Sequence, residues 1–148
     1  MSTAHIIKEQ LAAAYQGHLK LVGRTPGTLG ELQQAYAEQE RRRRAAELKA
    51  IAPKLAQLDA FVPALAKRGI SLVCRTFSTW DGGKSVRLQD HVFTKDNQLL
   101  DALLALGFKE VERKDAYRDE QTVTVKHGRS LVLVLTVRKP AEAKGGAA

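Results

Sequence analysis

Four consecutive arginines, Arg41, Arg42, Arg43 and Arg44, are the side chains in this sequence best suited to bind an anion. A guanidinium group presents a planar fork of N–H donors that matches pairs of phosphate oxygens. Four consecutive helical residues, however, turn through about 300° and do not all face one groove. Glutamates also lie three or four positions away, at Glu38, Glu40 and Glu47. The run therefore predicts either a phosphate-binding surface or a solvated helix face with internal ion pairs.

The only tryptophan, Trp80, is the second candidate because it adjoins the turn sequence Asp81-Gly82-Gly83. Arg75, Lys84 and Arg87 lie on either side of it in the same predicted hairpin. An exposed tryptophan with basic neighbours stacks a base or anchors a protein interface. Tryptophan is also usually well buried, so the alternative is a ring that folds back onto the sheet as the end of the core.

Residues for metal or hydrolytic chemistry are present but do not form a recognised spacing. The histidines are His5, His18, His91 and His127. No His-x-x-x-His or Cys/His spacing brings two ligands to one face, so a zinc site is not expected. Asp90 and the triplet Glu112-Arg113-Lys114 imitate the acid and the E-x-K strand of magnesium-dependent nucleases. Such triplets are common in any charged strand, so a nuclease is kept only as an alternative.

Motifs for nucleophilic catalysis and nucleotide binding are missing from the sequence. Cys74 is the only cysteine and lies in an apolar run, where a cysteine is usually a small core residue. The stretch Gly27-Thr28-Leu29-Gly30 lacks the Gly-Lys-Ser/Thr ending of a phosphate loop, and no G-x-S-x-G elbow occurs. We therefore expect a protein that has no cofactor or metal and is not an enzyme.

The whole chain has the composition of a folded protein with a positive surplus. Of its 148 residues 44% are hydrophobic and 27% charged, as in ordinary globular domains. The net charge of +8 favours an acidic partner, either nucleic acid or an acidic protein surface. The surplus is spread along the chain, with 11 basic against 6 acidic residues before Ile70 and 13 against 10 from there on. One cysteine and no apolar stretch of signal-peptide or membrane length predict a cytoplasmic protein without a membrane span.

Two helix starts can be read from the first half of the sequence. Ser2 or Thr3 caps a first helix over about residues 4–22, where apolar residues recur at steps of three and four. Thr28 and Glu31 then form a capping box. In this motif the Thr hydroxyl accepts a hydrogen bond from a free backbone N–H of the first turn, and the Glu side chain reaches back to the backbone N–H at the cap. A second helix is expected to start there.

This second helix is predicted to be long and bent. Pro53 and Pro63 each remove one helical hydrogen bond and can bend or restart the helix, so we expect segments near 28–51 and 53–68, with Gly69 as the stop. Its apolar residues follow alternating steps of three and four, the spacing of a coiled coil. We name this set the heptad seam, and it comprises Leu48, Ile51, Leu55, Leu58, Val62 and Leu65. The seam predicts packing on a sheet or, alternatively, the interface of a homodimer or of a complex with another protein.

The second half of the sequence predicts a sheet with one inserted helix. The expected strands are 70–79, 84–93, 108–117, 121–127 and 130–138, and the expected helix is 95–106. The last strand is an almost unbroken apolar run, which predicts a central strand covered on both faces. The candidate covers are helices 48–68 and 95–106, and a second copy of the chain is the alternative cover for one face. The predicted fold is α+β. A helical half (1–69) packs on a mostly antiparallel sheet of about five strands (70–138) in the order β-β-α-β-β-β, as one domain with a flexible tail at 139–148.

These patterns favour a non-enzymatic basic protein that binds nucleic acid or an assembly that handles nucleic acid. The expected contact residues are Arg41, Arg42, Arg43, Arg44, Arg75, Trp80, Lys84 and Arg87. A protein-protein interaction or inhibitor protein of bacterial or mobile-element origin, from a phage or a plasmid, is the alternative, with the heptad seam as its contact surface. The magnesium-dependent nuclease is the third prediction.

Overall fold

The structure is a computed structural model and describes residues 2–15, 26–73, 75–89 and 97–139. The helices are α1 (Thr3–Tyr15), α2 (Leu29–Asp59), α3 (Val62–Lys67) and α4 (Asn97–Ala105). The strands are β1 (Thr76–Ser78), β2 (Val86–Gln89), β3 (Lys109–Asp115), β4 (Glu120–His127) and β5 (Leu131–Arg138). The N-terminal part is helical and the C-terminal part is a five-stranded mixed sheet with α4 inserted between β2 and β3. The predicted α+β class and the order β-β-α-β-β-β are confirmed.

The chain divides into two compact units, Met1–Ala46 and Glu47–Ala148, whose boundary falls inside α2. The single domain over 1–138 stays a prediction. None of the helices in the described residues is long and apolar enough to cross a membrane.

The N-terminal unit has its own small core. Ser2 caps α1, since its side-chain oxygen accepts a hydrogen bond from the His5 N–H at 3.3 Å. Ile7 and Leu11 of α1 are buried with Ala35 of α2. Ile7 and Leu11, whose spacing predicted the first helix, therefore face this core. Residues 16–22 of that predicted helix lie outside the described residues.

The capping box at the start of α2 forms, but Glu31 reaches back to Gly27, the residue before Thr28. The Glu31 N–H donates to the Thr28 hydroxyl at 3.1 Å, and the Glu31 carboxylate accepts from the Gly27 N–H at 2.8 Å. The predicted restart at Pro53 is wrong, because α2 continues through Pro53 to Asp59. Ile51 before Pro53 and Leu58 after it are buried in the same core, so packing on both sides holds the helix across the lost hydrogen bond.

The break in the helical segment comes before α3, at the second predicted interruption, Pro63. Pro63 lies in the first turn of α3, where its missing N–H costs no hydrogen bond. At the other end Gly69 adopts a φ of 75°, and the Ile70 N–H donates to the Leu65 carbonyl at 3.0 Å. This is the Schellman arrangement that ends a helix at a glycine, and it confirms the predicted stop at Gly69.

Strand β5 lies in the middle of the sheet, which has the order β1-β2-β5-β4-β3. It runs antiparallel to β4 and parallel to β2, and the remaining pairs are antiparallel. The prediction of a central position is confirmed, and so is the mostly antiparallel character of the sheet.

Within the described residues only one face of β5 is sealed, so the prediction that the two helices cover opposite faces is wrong. Cover of the other face by a second copy of the chain stays a prediction. Along β5, Leu131, Leu133, Leu135 and Val137 are buried, while Val132, Val134 and Thr136 are half-exposed. The four buried residues of β5 belong to one hydrophobic cluster, and buried residues of α2, α3 and α4 belong to the same cluster. Both predicted covers therefore lie on one face, which we name the core face, and the opposite face is the open face. An apolar run identifies a central strand but does not report what covers it.

The first hairpin is shorter than predicted. Of the predicted strand 70–79 only Thr76–Ser78 forms β1, because Ile70 and Leu72 pack against the core without pairing as a strand. Residues 84 and 85 belong to the turn before β2, and residues 90–93 lie outside the described residues. Helix α4 ends at Ala105, and Gly107, with a φ of 100°, lies just after it and forms the predicted helix stop. Only residue 139 of the predicted tail is described.

Candidate functional site

The turn between β1 and β2 is organised by one carboxylate. Asp81 accepts hydrogen bonds from the Thr79 hydroxyl at 2.8 Å, from the Ser85 N–H at 2.9 Å and from the Ser85 hydroxyl at 2.6 Å. Partial burial alone would raise the pKa of Asp81, but the hydrogen bonds from Ser85 and Thr79 outweigh it and lower the pKa. Asp81 is therefore ionised at neutral pH and holds both arms of the turn.

The same turn is fixed to α2 of its own unit. The Thr79 N–H donates to the Glu47 carboxylate at 3.3 Å. Gly83 has a φ of 94°, and a Cβ atom added there would lie 2.6 Å from the Ala50 carbonyl oxygen. The turn approaches the helix so closely that only glycine fits at position 83. These contacts make the turn a rigid platform for the residue next to it.

That residue, Trp80, is 78% exposed. The guanidinium carbon of Arg87 lies 3.5 Å from the centroid of its ring, which is a close cation-π contact. By register Arg87 is on the open face, beside Val134 of β5. The sequence allowed either an exposed Trp80 ring or a ring folded back onto the sheet. The structure shows the exposed ring, which lies against Arg87 of β2.

The other predicted residues of this hairpin contribute less. Arg75 is half-buried, and its Nε–H donates to the Ser71 carbonyl at 3.3 Å. Lys84 is exposed in the turn itself. Of the predicted set in this unit, the structure brings Trp80 and Arg87 into contact, whereas Arg75 is tied to the segment that precedes β1.

The arginine run lies on α2 within the N-terminal unit. Arg41 donates to Glu38 at 2.8 Å, Arg42 donates to the same carboxylate at 3.0 Å, and Arg43 donates to Glu40 at 2.9 Å. The hydrogen bond from Arg41, followed by that from Arg42, lowers the pKa of Glu38 to about 2. The guanidinium groups remain exposed, but each of these three already has a carboxylate partner. Arg44 also has an interaction partner and is half-buried.

The open face carries residues that the sequence patterns did not single out. Cross-strand partners point to the same side of a sheet, so the register assigns each residue to a face. Among the described residues, the basic members of the open face are Arg87, Lys109, Lys114, Lys126 and Arg138, and the acidic members are Glu112 and Glu120. The alternation Thr122-Val123-Thr124-Val125-Lys126 in β4 was the available signal for Lys126. For Lys109 there was none, because a bulge at Val111 shifts the face of every earlier residue in β3.

Two of the predicted nuclease residues, Glu112 and Lys114, meet in the described part of the structure. Glu112 pairs with Lys114 at 3.1 Å on the open face, whereas Arg113 pairs with Glu110 at 2.6 Å on the other side. Asp90 lies outside the described residues. Within the described ranges, no three acidic, histidine or cysteine side chains group as metal ligands. The nuclease stays an untested prediction.

The heptad seam divides into two sets. Ile51, Leu58 and Leu65 are buried in the core, whereas Leu48 and Val62 are each 41% exposed and Leu55 is half-buried. An apolar groove of about 700 Å³ is lined by Leu55 and Val62 of the second set but not by Leu48. Its lining also includes Leu58, Ile70, Leu72, Val73 and Phe77. Val73 is 91% exposed. The seam is therefore mainly a core element with an apolar remainder at the surface.

Comparison of the chain with models of protein families, with characterised proteins and with solved structures finds no match.

Proposed function

We propose that this protein is a non-enzymatic nucleic-acid-binding protein whose binding surface is centred on Trp80 and Arg87. The observation that supports it most strongly is the 78% exposure of the single tryptophan, with a guanidinium group 3.5 Å from its ring centroid. Exposing an indole ring forgoes the hydrophobic stabilisation of its burial, so the rigid turn keeps it exposed at a cost in stability. A base that stacks on this ring would recover that free energy.

Charge supports the same surface. Arg87 is not paired with any described carboxylate, and its N–H edge remains available to a phosphate while its face lies on the indole. The arginine run is a weaker candidate, because contact with phosphate would have to break the pairs of Arg41, Arg42 and Arg43 with Glu38 and Glu40. The ligand is thus expected to gain from one stacked base and from nearby phosphate contacts.

The test compares Trp80→Ala with Tyr117→Ala by fluorescence anisotropy of a labelled oligonucleotide. Tyr117 is a matched control, since it is 73% exposed and its ring lies 5.0 Å from the guanidinium of Arg118. Loss of one stacking contact predicts that Trp80→Ala weakens binding by about five-fold to 150-fold, because base stacking contributes about 1–3 kcal/mol. Tyr117→Ala should bind like the wild type. Equal affinities of all three proteins would overturn the proposal.

The second candidate function is a protein-protein interaction, with formation of a homodimer as its simplest form. The observation that favours it is the apolar groove beside Leu55 and Val62 together with the 91% exposure of Val73. Light scattering tests it with the variant Val62→Asp, which places a negative charge at the groove. Val62 is the first residue of α3, where an acidic side chain interacts favourably with the helix dipole, so the helix should still form. Ala52→Asp, at an exposed position of α2, is the control. A dimer should form in the wild type and the control and be lost in Val62→Asp. A monomeric wild type at every concentration contradicts self-association.

A further inference from the structure

We infer that the open face binds a single strand of nucleic acid, which runs from Trp80 across the sheet to a phosphate site formed by Lys109 and Lys126. This inference rests on the proposed function and specifies its ligand. The middle strand of the open face presents the half-buried side chains of Val132, Val134 and Thr136, which are small and uncharged.

The charges of the open face are unbalanced at its two ends. Each acid there has a basic neighbour, since Glu112 pairs with Lys114 at 3.1 Å and Glu120 lies opposite Arg138 in the register. The basic residues left over are Arg87 at one end and Lys109 and Lys126 at the other. An occupant with repeated negative charge therefore complements this face better than a neutral or basic one.

The two lysines form the least compensated part of the sheet. Lys109 and Lys126 are direct cross-strand partners on β3 and β4, a placement in which like charges destabilise a sheet. Among the described residues no carboxylate lies within ion-pair distance of either ammonium group. Both side chains line a cleft of about 300 Å³ with Gly107 and Gly128, which leave room for a ligand. An anion between the two ammonium groups would remove their repulsion.

The spacing between the ends suits a strand of a few nucleotides. Arg87 and Lys126 are two strand spacings apart and offset by two residues along the strands, a backbone separation of about 12 Å. Stacking on Trp80 needs the flat face of a base, which a duplex keeps inside its own stack. A single strand offers that base face and its phosphates together, and a duplex offers only the phosphates.

The test measures the affinity of labelled oligothymidine, oligouridine and a DNA duplex of the same length, about 15 nucleotides. The variants are Lys109→Ala, Lys126→Ala, the double variant, and Lys49→Ala as a control on the exposed surface of α2. Loss of two phosphate contacts should weaken single-strand binding about tenfold and reduce the slope of log affinity against log salt by about 1.4. The melting temperature of the double variant should stay level or rise, because like-charge repulsion is removed. A lysine pair that only supported the fold would lower the melting temperature instead.

The outcomes separate this inference from the proposed function. Wild-type affinity and salt slope in the double variant, with binding lost in Trp80→Ala, would overturn the path across the sheet and leave the nucleic-acid function standing. Duplex affinity equal to single-strand affinity would overturn the choice of a single strand. If the wild type binds none of the three oligonucleotides at low salt, the proposed function fails and this inference fails with it. Preference between oligothymidine and oligouridine distinguishes DNA from RNA as the source of the strand.

Discussion

For single residues, the same guanidinium group is compensated or available for a ligand depending on which side chains lie next to it. The guanidinium groups of Arg41 and Arg42 share one carboxylate, so their charge is already compensated locally. The guanidinium of Arg87 lies on an exposed indole and has no described acidic partner. The glutamates beside the arginine run made its pairing predictable from spacing alone. The exposure of Trp80 was not predictable, because it depends on a turn fixed to α2 by contacts distant in sequence.

Asp81 gives this turn a pH dependence. Its pKa in the folded protein is lowered below the ordinary value of 3.8, so the stabilisation is fully present above that value. It is lost as the pH falls through the lowered pKa of the folded state. Because Trp80 is the only tryptophan, we expect its emission to change in this acidic range. Fluorescence against pH measures the change, with circular dichroism at 222 nm recording any global unfolding.

The acidic transition should be missing in Asp81→Asn, which cannot ionise. Asp119→Asn, in the turn between β3 and β4, is the control and should titrate like the wild type. An unchanged fluorescence titration in Asp81→Asn would show that another group governs the conformation of the turn.

At the scale of elements, the patterns that predict a helix or strand succeeded where the constraint is local. Gly69 and Gly107 ended helices as predicted, and the capping box started α2. The predictions failed where tertiary packing decides. Pro53 did not interrupt α2, because Ile51 and Leu58 on both sides of it are anchored in one core. The apolar run of β5 indicated a central strand, yet the sequence held no information on whether helices covered one face or two.

The approach of the β1–β2 turn to α2 predicts unequal effects of two adjacent glycine substitutions. Gly82→Ala has free space around the new Cβ and bears only the cost of a φ of 71°, about 1–2 kcal/mol. Gly83→Ala has the same kind of conformational cost, and its Cβ would lie 2.6 Å from the Ala50 carbonyl oxygen. We expect this clash to remove about 1–3 kcal/mol more from the free energy of unfolding.

Urea denaturation of the two variants and the wild type measures the difference. The denaturation midpoint should fall furthest for Gly83→Ala, with an unchanged slope against urea. Equal midpoints for the two variants would mean that the turn does not hold its position against α2.

At the scale of the whole molecule, net charge indicated an acidic partner but not the surface that receives it. The most conspicuous basic segment is internally paired, whereas the uncompensated residues are brought together by strand pairing between β2, β5, β4 and β3. The bulge at Val111 decides that Lys109 faces Lys126, and no period-two pattern predicts it. The α+β class was therefore predictable from elements in chain order. The open face, which depends on register, became visible only in the structure.

Binding of nucleic acid at Trp80 is tested by titration of the wild-type protein with an unlabelled single-stranded oligonucleotide, followed by tryptophan emission. All of the signal comes from Trp80, so the measurement reports on the proposed surface without any substitution. We predict saturable quenching at about 50 mM salt that weakens steeply at about 200 mM salt, as phosphate contacts require. Emission that stays constant throughout the titration at low salt would contradict binding of nucleic acid at Trp80.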